Sequence, residues 1–421
     1  MPKSGNLDTA RGRVSQMLVA TRNILKQLCP MLPTGYANND VALVSPPGVD
    51  VIMHNSYLDK DRSKRTLTSY IKKQGGLPPD GPDGKGRPFV MSEFGASTYL
   101  NNAYHGGKYI NPVLEKIHAW NIPNRWAEIM EAGGVGGSIY KLTETAMNSS
   151  PADSQNEGGG GCGILTGDGK PKLAAWEVRR IWRDFTLEAR GADLLITFPR
   201  PYAARDCILT ITPVNGKPLR FELDDFTPRS TRAIPLKTLG LANAPEGWRW
   251  RMDFTTHSGL IGAAAGAWPA KLEEQDFLAL IAKRSTAPFL TELFDTEVLT
   301  IDGKPAPRAS AQMTDAQGVI PIILRKRNGV VYLTIISRED PNNTPLKKGI
   351  TLDIAFKGKV EKVDDITGQP LPEVVDATPT DKGMRLKNLQ AARIPSRSSP
   401  RSKKPFMVPV YRITPSDITT P

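Results

Sequence analysis

The chain is poor in the residues that build metal and redox centres. Its three cysteines, Cys29, Cys162 and Cys207, lie far apart in 421 residues, with no metal-type spacing and no even count for a disulfide framework. Its four histidines are equally scattered, which gives no zinc motif. No sequence feature calls for a cofactor. No apolar run approaches the roughly eighteen residues of a membrane span, so no membrane partner is expected. The opening stretch "MPKSGNLDTARGRVSQMLVATRNILKQLCP" lacks the charged start, apolar block and small-residue cleavage site of a signal peptide. It reads instead as a helix entered at Asp8 or Thr9, with Val14, Met17, Leu18, Ile24, Leu25 and Leu28 on one apolar face and Pro30 as its stop.

Acidic residues are in deficit. Forty-three Asp and Glu against 55 Lys and Arg leave a net charge of +12. The basic residues are spread along the whole chain, and the one dense stretch, "RIPSRSSPRSKK" (Arg393 to Lys404), is a Ser/Pro-rich solvated loop by composition. This distribution argues for an incidental basic surface, not a nucleic-acid partner. What the chain has in quantity is glycine (37) and proline (36), which favours a loop-rich or β-rich build over a helical bundle. The length suffices for two or three domains with their own cores.

Up to about residue 188 the pattern alternates between helix and strand. The first helix is followed by "PTGYA", a strand-like "GVDVIMHNSY", a polar helix-like stretch at 62–73 and the strand "RPFVMSEFG". A helix is expected around Ile122 to Ala132, then a strand in "GGVGGSIYKLTE", a glycine-rich loop "NEGGGGCG" and a closing amphipathic helix in "KPKLAAWEVRRIWRDF". Alternation of this kind implies a parallel α/β arrangement. After Ala189 the period changes to short strands between turn residues, from "DLLITFPR" to "MVPVYRI", divided near the helix-like "KLEEQDFLALIAKR". The fold class expected is multidomain α/β plus all-β: 1–188 α/β, 189–285 a β-sandwich, and 286–421 a second β-sandwich with the basic loop.

The chemistry is sought at strand ends, where an α/β barrel keeps its catalytic groups. In "GRPFVMSEFGAS" a short apolar strand ends in one carboxylate, Glu93, followed at once by Phe-Gly. Such a carboxylate is costly unless it is paired or put to use. Alone, it would read as a salt-bridged strand end. Its companions at neighbouring strand ends are His54, Asn55 and Tyr57 on one side and Tyr140, Lys141 and Glu144 on the other. Each has a structural reading: Tyr57 as a rim aromatic, Asn55 as a turn cap, Lys141 as a solvated strand end.

Taken together, "DVIMHNSY", "RPFVMSEFGA", "GSIYKLTE" and "GCGILTGDGKPKLAAWEVRRIW" resemble the closing half of the barrel of family 2 glycoside hydrolases, of the β-galactosidase, β-glucuronidase and β-mannosidase type. The resemblance runs from the N-terminus to about Phe185, and its sharpest parts are Ser-Glu-Phe-Gly and the closing segment Gly163 to Lys172. It implies the C-terminal half of a TIM (β/α)8 barrel followed by β-sandwich domains. It implies a retaining β-glycosidase acting on a carbohydrate, an oligo- or polysaccharide of plant or algal type, with Glu93 as nucleophile and Tyr57 orienting it. Asn55 or His54 would line the sugar site. Tyr140 falls where the family usually has a stacking Trp, and Lys141 and Glu144 likewise depart from the pattern, which leaves the sugar open.

In this family the acid/base is the Glu of an Asn-Glu pair ending the fourth barrel strand, directly before a helix. Here that helix matches Thr9 to Leu28, only a few residues into the chain, and the one Asn-Glu pair, Asn156-Glu157, lies in the glycine-rich loop after the last strand. The expectation is therefore the C-terminal part of a longer hydrolase, with a parent compatible with secretion or periplasmic export. The competing expectation is a natural protein without hydrolytic activity. A four-stranded partial barrel would leave an open sheet edge, which favours the first. Without its proton donor, this chain alone would lose roughly 10² to 10⁴-fold in rate or be inactive. From another class comes a non-catalytic carbohydrate-binding or structural protein derived from such an enzyme. Trp248, Trp250 and Trp268 could stack on sugars there, although alternation in "WRWR" lets Trp248 and Trp250 share one strand face as core. Nothing in the sequence sets an oligomeric state.

Overall fold

In a computed structural model of the chain, the structure describes residues 4–37, 50–57, 87–95, 111–143, 162–241, 246–284, 286–299, 319–337, 347–355, 357–393 and 408–416. The expected helix at 62–73 and most of the glycine-rich loop lie outside these residues. The described chain is β-rich with five helices, a mixed α/β and all-β build. It divides into two compact units, one formed by 1–177 with 285–421, the other by 178–284.

The first unit opens with helix α1 (Ser4–Leu28). Its apolar residues stand largely in solvent: Met17, Ile24 and Leu28 are all exposed. Four strands follow, β1 (Gly35–Tyr36), β2 (Val51–Tyr57), β3 (Phe89–Gly95) and β4 (Gly136–Ile139). They form one sheet in the order β1-β2-β3-β4, every neighbouring pair parallel. Asp50 fixes the entry to β2. Its carboxylate accepts the backbone N–H and the hydroxyl of Thr34, both at 2.7 Å, and pairs with Lys26 at 3.0 Å. These bonds, the Thr34 pair foremost, hold its pKa well below the ordinary carboxylate range.

Helix α2 (Pro112–Glu131) crosses between β3 and β4 and starts ten residues before the sequence pattern suggested. Proline at its first position suits a helix start, and Asn111 caps it by accepting the Val113 and Leu114 N–H groups at 3.0 and 3.1 Å. A second proline, Pro123, lies inside the helix, so the stretch after it reads in sequence as a fresh start. Helix α3 (Leu173–Trp182) is anchored at its start by Glu115, a fully buried residue of α2 whose Oε1 accepts the Leu173 N–H at 2.8 Å.

The second unit carries β5 (Thr186–Arg190), β6 (Asp193–Phe198), β7 (Ala204–Pro213), β8 (Leu219–Leu223), β9 (Ser230–Pro235), β10 (Trp248–Thr256) and β11 (Ile261–Trp268), then helix α4 (Ala270–Ile281). A three-stranded sheet β5-β6-β9 and a four-stranded sheet β11-β10-β7-β8 share one core, from Leu194, Ile196 and Phe198 on one side to Leu209, Ile211, Met252 and Phe254 on the other. Trp248 and Trp250 belong to this core at 1% and 3% exposure, Trp248 stacked on Trp268 at 4.5 Å, so they are packing residues of the strand.

The rest of the first unit is helix α5 (Ala287–Phe294) and strands β12 (Thr296–Leu299), β13 (Val319–Lys326), β14 (Val331–Ser337), β15 (Lys347–Ile354), β16 (Gly358–Val363), β17 (Asp376–Thr380), β18 (Gly383–Arg393) and β19 (Val410–Pro415). Alternation along β13 sends Ile322 and Leu324 into a cluster with Val113, Leu114 and Ile117 of α2 and Phe289 and Leu293 of α5. Ile323 goes the other way, against Ile350, Leu386 and Leu389. Helix α2 is therefore buried on two sides, and Asn111 joins them: its Nδ2 donates to Asp365 Oδ2 at 2.6 Å, an oxygen that also accepts the Val408 N–H at 2.7 Å.

Burial, aided by neighbouring Asp364, raises the Asp365 pKa from 3.8 to about 6 against these two hydrogen bonds. The folded state thus holds a proton that the unfolded chain releases. Stability from this group is complete below about pH 4 and is lost as pH rises through 6, by about 3 kcal/mol for a shift of this size. Urea midpoints of the first unit are expected to fall between pH 4 and 7 in the native chain. In Asp365→Asn, whose side-chain oxygen can still accept both bonds, the slope should flatten; an unchanged slope would assign it to another group.

Candidate active site

The carboxyl ends of the four parallel strands bring together Asn55, Glu93 and Tyr140. The pairing of β2 with β3 is regular to His54↔Met91 and then skips to Asn55↔Glu93, which leaves Ser92 as an extra residue in β3. The β4 side shows the same insertion, between Met91↔Gly137 and Phe94↔Ile139. An extra residue re-aims the side chains that follow it. Before it, Phe89 and Met91 point into the core; after it, Phe94 does, its ring stacked on Trp126 of α2 at 6.1 Å. Ser92 and Glu93 both fall on the opposite face, half-buried. The bulge thus seats two polar side chains side by side where strict alternation would send one into the core.

Ser92 Oγ donates to Asn55 Oδ1 at 2.6 Å. This bond fixes the Asn55 amide in direct register with Glu93 and leaves its Nδ2 donors for another acceptor. His54 is placed differently: at 6% exposure it pairs in register with Met91 and shares the alternation of buried Ile52. Tyr57 pairs through its backbone with Gly95, while its side chain, like the whole of Glu144 and of Asn156-Glu157, lies outside the described residues.

On the other flank, the Tyr140 N–H donates to the Phe94 carbonyl at 2.9 Å, which holds Tyr140 beside the residue after Glu93. The Tyr140–Lys141 peptide bond is cis. Lys141 is pinned on both backbone groups, its N–H donating to Cys162 O at 3.1 Å and its carbonyl accepting the Ile164 N–H at 3.0 Å. Its Nζ lies 5.6 Å from the centroid of the Tyr140 ring, within reach of a cation–π contact. The segment after Ile164 turns back on itself through Thr166, whose hydroxyl bonds to Asp168 and accepts the Lys170 N–H, and returns to fully buried Lys172.

Beneath the strand ends sits His118 of α2, fully buried, with neither ring nitrogen hydrogen-bonded among the described residues. Burial, and after it the Lys172 charge, pushes its pKa well below the ordinary value, so the imidazole is neutral. It lies near Gly95, which has little room: a Cβ there would stand in ordinary contact with His118 Nε2 at 4.0 Å but only 2.9 Å from the Tyr140 carbonyl oxygen. Sequence reading missed Ser92, Gly95 and His118 as parts of this corner. Ser92 has no role of its own in Ser-Glu-Phe-Gly, Gly95 reads there only as the turn that ends the strand, and His118 lies ahead of the expected start of its helix.

Among the described residues no group of three or more His, Cys, Asp or Glu is placed to hold a metal ion, and no helix is long and apolar enough to cross a membrane. No protein-family model matches the chain, and no curated protein matches it. Among solved structures it is similar to an FMN-binding β-glucuronidase from Facaelibacterium prausnitzii L2-6, at 13% identity and TM-score 0.28 over 60% of this chain and 38% of that one. It is similar to a family 39 glycoside hydrolase from Bacteroides cellulosilyticus WH2, at 10% identity and TM-score 0.21 over 87% and 44%. A β-porphyranase of glycoside hydrolase family 86 from Bacteroides plebeius gives 9% and 0.21 over 88% and 61%. The chain thus spans less than two thirds of the length of each. At these TM-scores the likeness assigns neither fold nor chemistry, and the reading of the site rests on its residues.

Gly95 tests the corner directly. Gly95→Ala puts a methyl group against the Tyr140 carbonyl, a backbone atom that cannot rotate away. It should destabilise the first unit by about 1–3 kcal/mol, the usual scale of overpacking, seen as a lower urea midpoint. The unfolding of 178–284 should be unmoved; an unaltered first-unit midpoint would mean that β3 and β4 separate freely.

Proposed function

We propose that the chain carries the nucleophile strand of a retaining β-glycosidase of the family 2 type, with Glu93 as nucleophile. The sheet β1–β4 then forms the closing half of a (β/α)8 barrel, and 189–285 and 286–421 are the β-sandwich domains that accompany it. The observation that carries the reading is the seating of Glu93: a carboxylate at the carboxyl end of an interior parallel strand, turned off the core by an extra residue, in register with Asn55 and beside Tyr140. The order β1-β2-β3-β4, sequential and parallel throughout, agrees with consecutive barrel strands, whose carboxyl ends are where such enzymes work.

In this reading the Glu93 carboxylate attacks the anomeric carbon of a carbohydrate as the glycosidic C–O bond breaks, and a glycosyl ester forms on Glu93. Water then cleaves the ester, with a second carboxyl group serving first as acid and then as base from about 5–5.5 Å away. Among the described residues at the four carboxyl strand ends, Glu93 is the one carboxylate, so this partner comes from elsewhere. Asn55, oriented by Ser92, offers its amide donors to the nucleophile or to a sugar hydroxyl, and Tyr57 orients the nucleophile by the family resemblance. Tyr140 supplies the aromatic surface of the sugar site.

The test separates the nucleophile from the proton donor. Dinitrophenyl β-glycosides release a leaving group that needs no proton, so the first half-reaction requires the nucleophile but not the second carboxyl group. A burst of dinitrophenolate from the native chain is expected, with Glu93→Gln lowering it on the order of 10³-fold or more, the scale of losing a nucleophile. A burst that survives in Glu93→Gln would remove Glu93 from the reaction.

A further inference from the structure

Each of the two sheets in the second unit has two edge strands, and three of these four edges are guarded against further pairing. β8 carries Arg220 and Glu222, β5 carries Glu188 and Arg190, and β9 carries Arg232 and ends in Pro235. The fourth edge, β11, has neither a charge nor a proline from Ile261 to Trp268. Its main-chain polar groups turn to two sides. The Thr256 N–H donates to the Leu260 carbonyl at 2.8 Å, and bonded pairs with β10 recur at every second residue from there, at Gly262, Ala264 and Gly266. The N–H and carbonyl groups of Ile261, Ala263, Ala265 and Ala267 therefore face away from β10. Of these, the Ala267 N–H reaches the Glu273 carboxylate of α4 at 3.4 Å. Ile261, Ala263 and Ala265 have no main-chain partner on that side among the described residues.

The side chains of this edge are open as well. Ile261 is 90% exposed, and Ala263 and Ala265 stand in solvent beside it. The charges next to the edge are already spent. Arg251 of β10 holds Asp253 at 2.6 Å, and Arg249 holds Asp276 of α4 through two bonds of 2.6 and 2.7 Å. An approaching strand thus meets no unbalanced charge, so neither an acidic nor a basic peptide is favoured. Strand-adding peptides are selected by pockets for alternate side chains, and the methyl groups of Ala263 and Ala265 form none. The strand that suits such an edge is β11 itself. It is equally uncharged, it presents the same three residues unpaired, and a two-fold axis repeats every contact.

We infer that the open edge of β11 is a self-association surface: the β11 strands of two copies pair antiparallel about a two-fold axis at Ala263, which joins their four-stranded sheets into one. In this register Ala263 faces Ala263, and Ile261 of each copy faces Ala265 of the other. All three pairs are of the bonded type, each exchanging two N–H···O bonds, and Ala267 with its Glu273 contact stays outside them. Ile261, bare in the single chain, then lies beside Ala265 and the stem of Arg251, the residue in register with Ala265. The inference concerns the second unit and does not depend on the role of Glu93.

The experiment follows the mass of the full chain by light scattering from about 1 to 100 μM, with hydrogen exchange read on peptides at both ends of that range. The mass is expected to rise to that of two chains, and exchange at 261–265 to slow about tenfold or more while that of 219–223 on β8 is unmoved. Ala263→Pro removes an N–H on the open side alone and should weaken the dimer on the order of 10²-fold. Ala263→Lys and Ala263→Asp change an exposed side chain and set like charges opposite each other, so each should weaken it about tenfold. An equimolar mixture of these two should regain the dimer with one chain of each kind, which also shows that both variants are folded. A chain that stays single at every concentration would overturn the inference. So would a dimer that leaves exchange at 261–265 unchanged, or one that Ala263→Pro does not weaken. Failure of the mixture to pair would overturn the register at Ala263.

Discussion

One buried oxygen, Asp365 Oδ2, fixes the first unit. It accepts from the side chain of Asn111 and from the main chain of Val408 in a place where an unpaired polar group would be expensive. Asn111 spends its other atom on the first turn of α2, so the axial position of that helix is set from outside the α/β sheet. Glu115, one turn on, sets the start of α3. Further along, α2 presents His118 under Gly95 and Trp126 against Phe94. The residues flanking Glu93 are thus held by a helix whose own placement depends on the C-terminal sheet.

The corner around Glu93 shows how little is needed to turn a core strand into a working one. Were Ser92 paired in regular register, β3 would alternate evenly, Glu93 would turn into the core and Phe94 would fall on the open face. With Ser92 as an extra residue, the aromatic stays buried on α2, and Ser92 and Glu93 share the polar face, the serine locking Asn55 beside the carboxylate. The cost is a skipped position in the ladder on each flank, after which pairing resumes at Asn55↔Glu93 on the β2 side and at Phe94↔Ile139 on the β4 side.

Much of this corner was legible in the residues. Pro88, the short apolar run and Gly95 mark a buried strand and its end, and a carboxylate there asks for an explanation. The register shift was not legible, because a bulge is decided by pairing with neighbours that one strand does not display. That is why His54 reads as a companion of Asn55 in sequence although it lies with the buried layer. The first half of α2 was hidden for another reason. Asn111, Glu115, His118 and Asn121 are all buried, so the helix has no solvated stripe for periodicity to detect. In the second unit "WRWR" was plain, since Trp248 and Trp250 obey the period of two without interference.

The bond from Asn111 to Asp365 also joins residues 254 positions apart. Between them in the chain lies 178–284, a unit with a core of its own. Closing so long a loop costs chain entropy before any contact repays it, and contacts of this range slow folding. If 178–284 folds first, it replaces about two fifths of the floppy span by a compact link. During synthesis, α2 emerges long before Val408 and Asp365 are made, so its apolar outer face waits uncovered through most of translation. The order of elements along the chain thus makes the β-rich unit in the middle a timing device for the α/β sheet that precedes it.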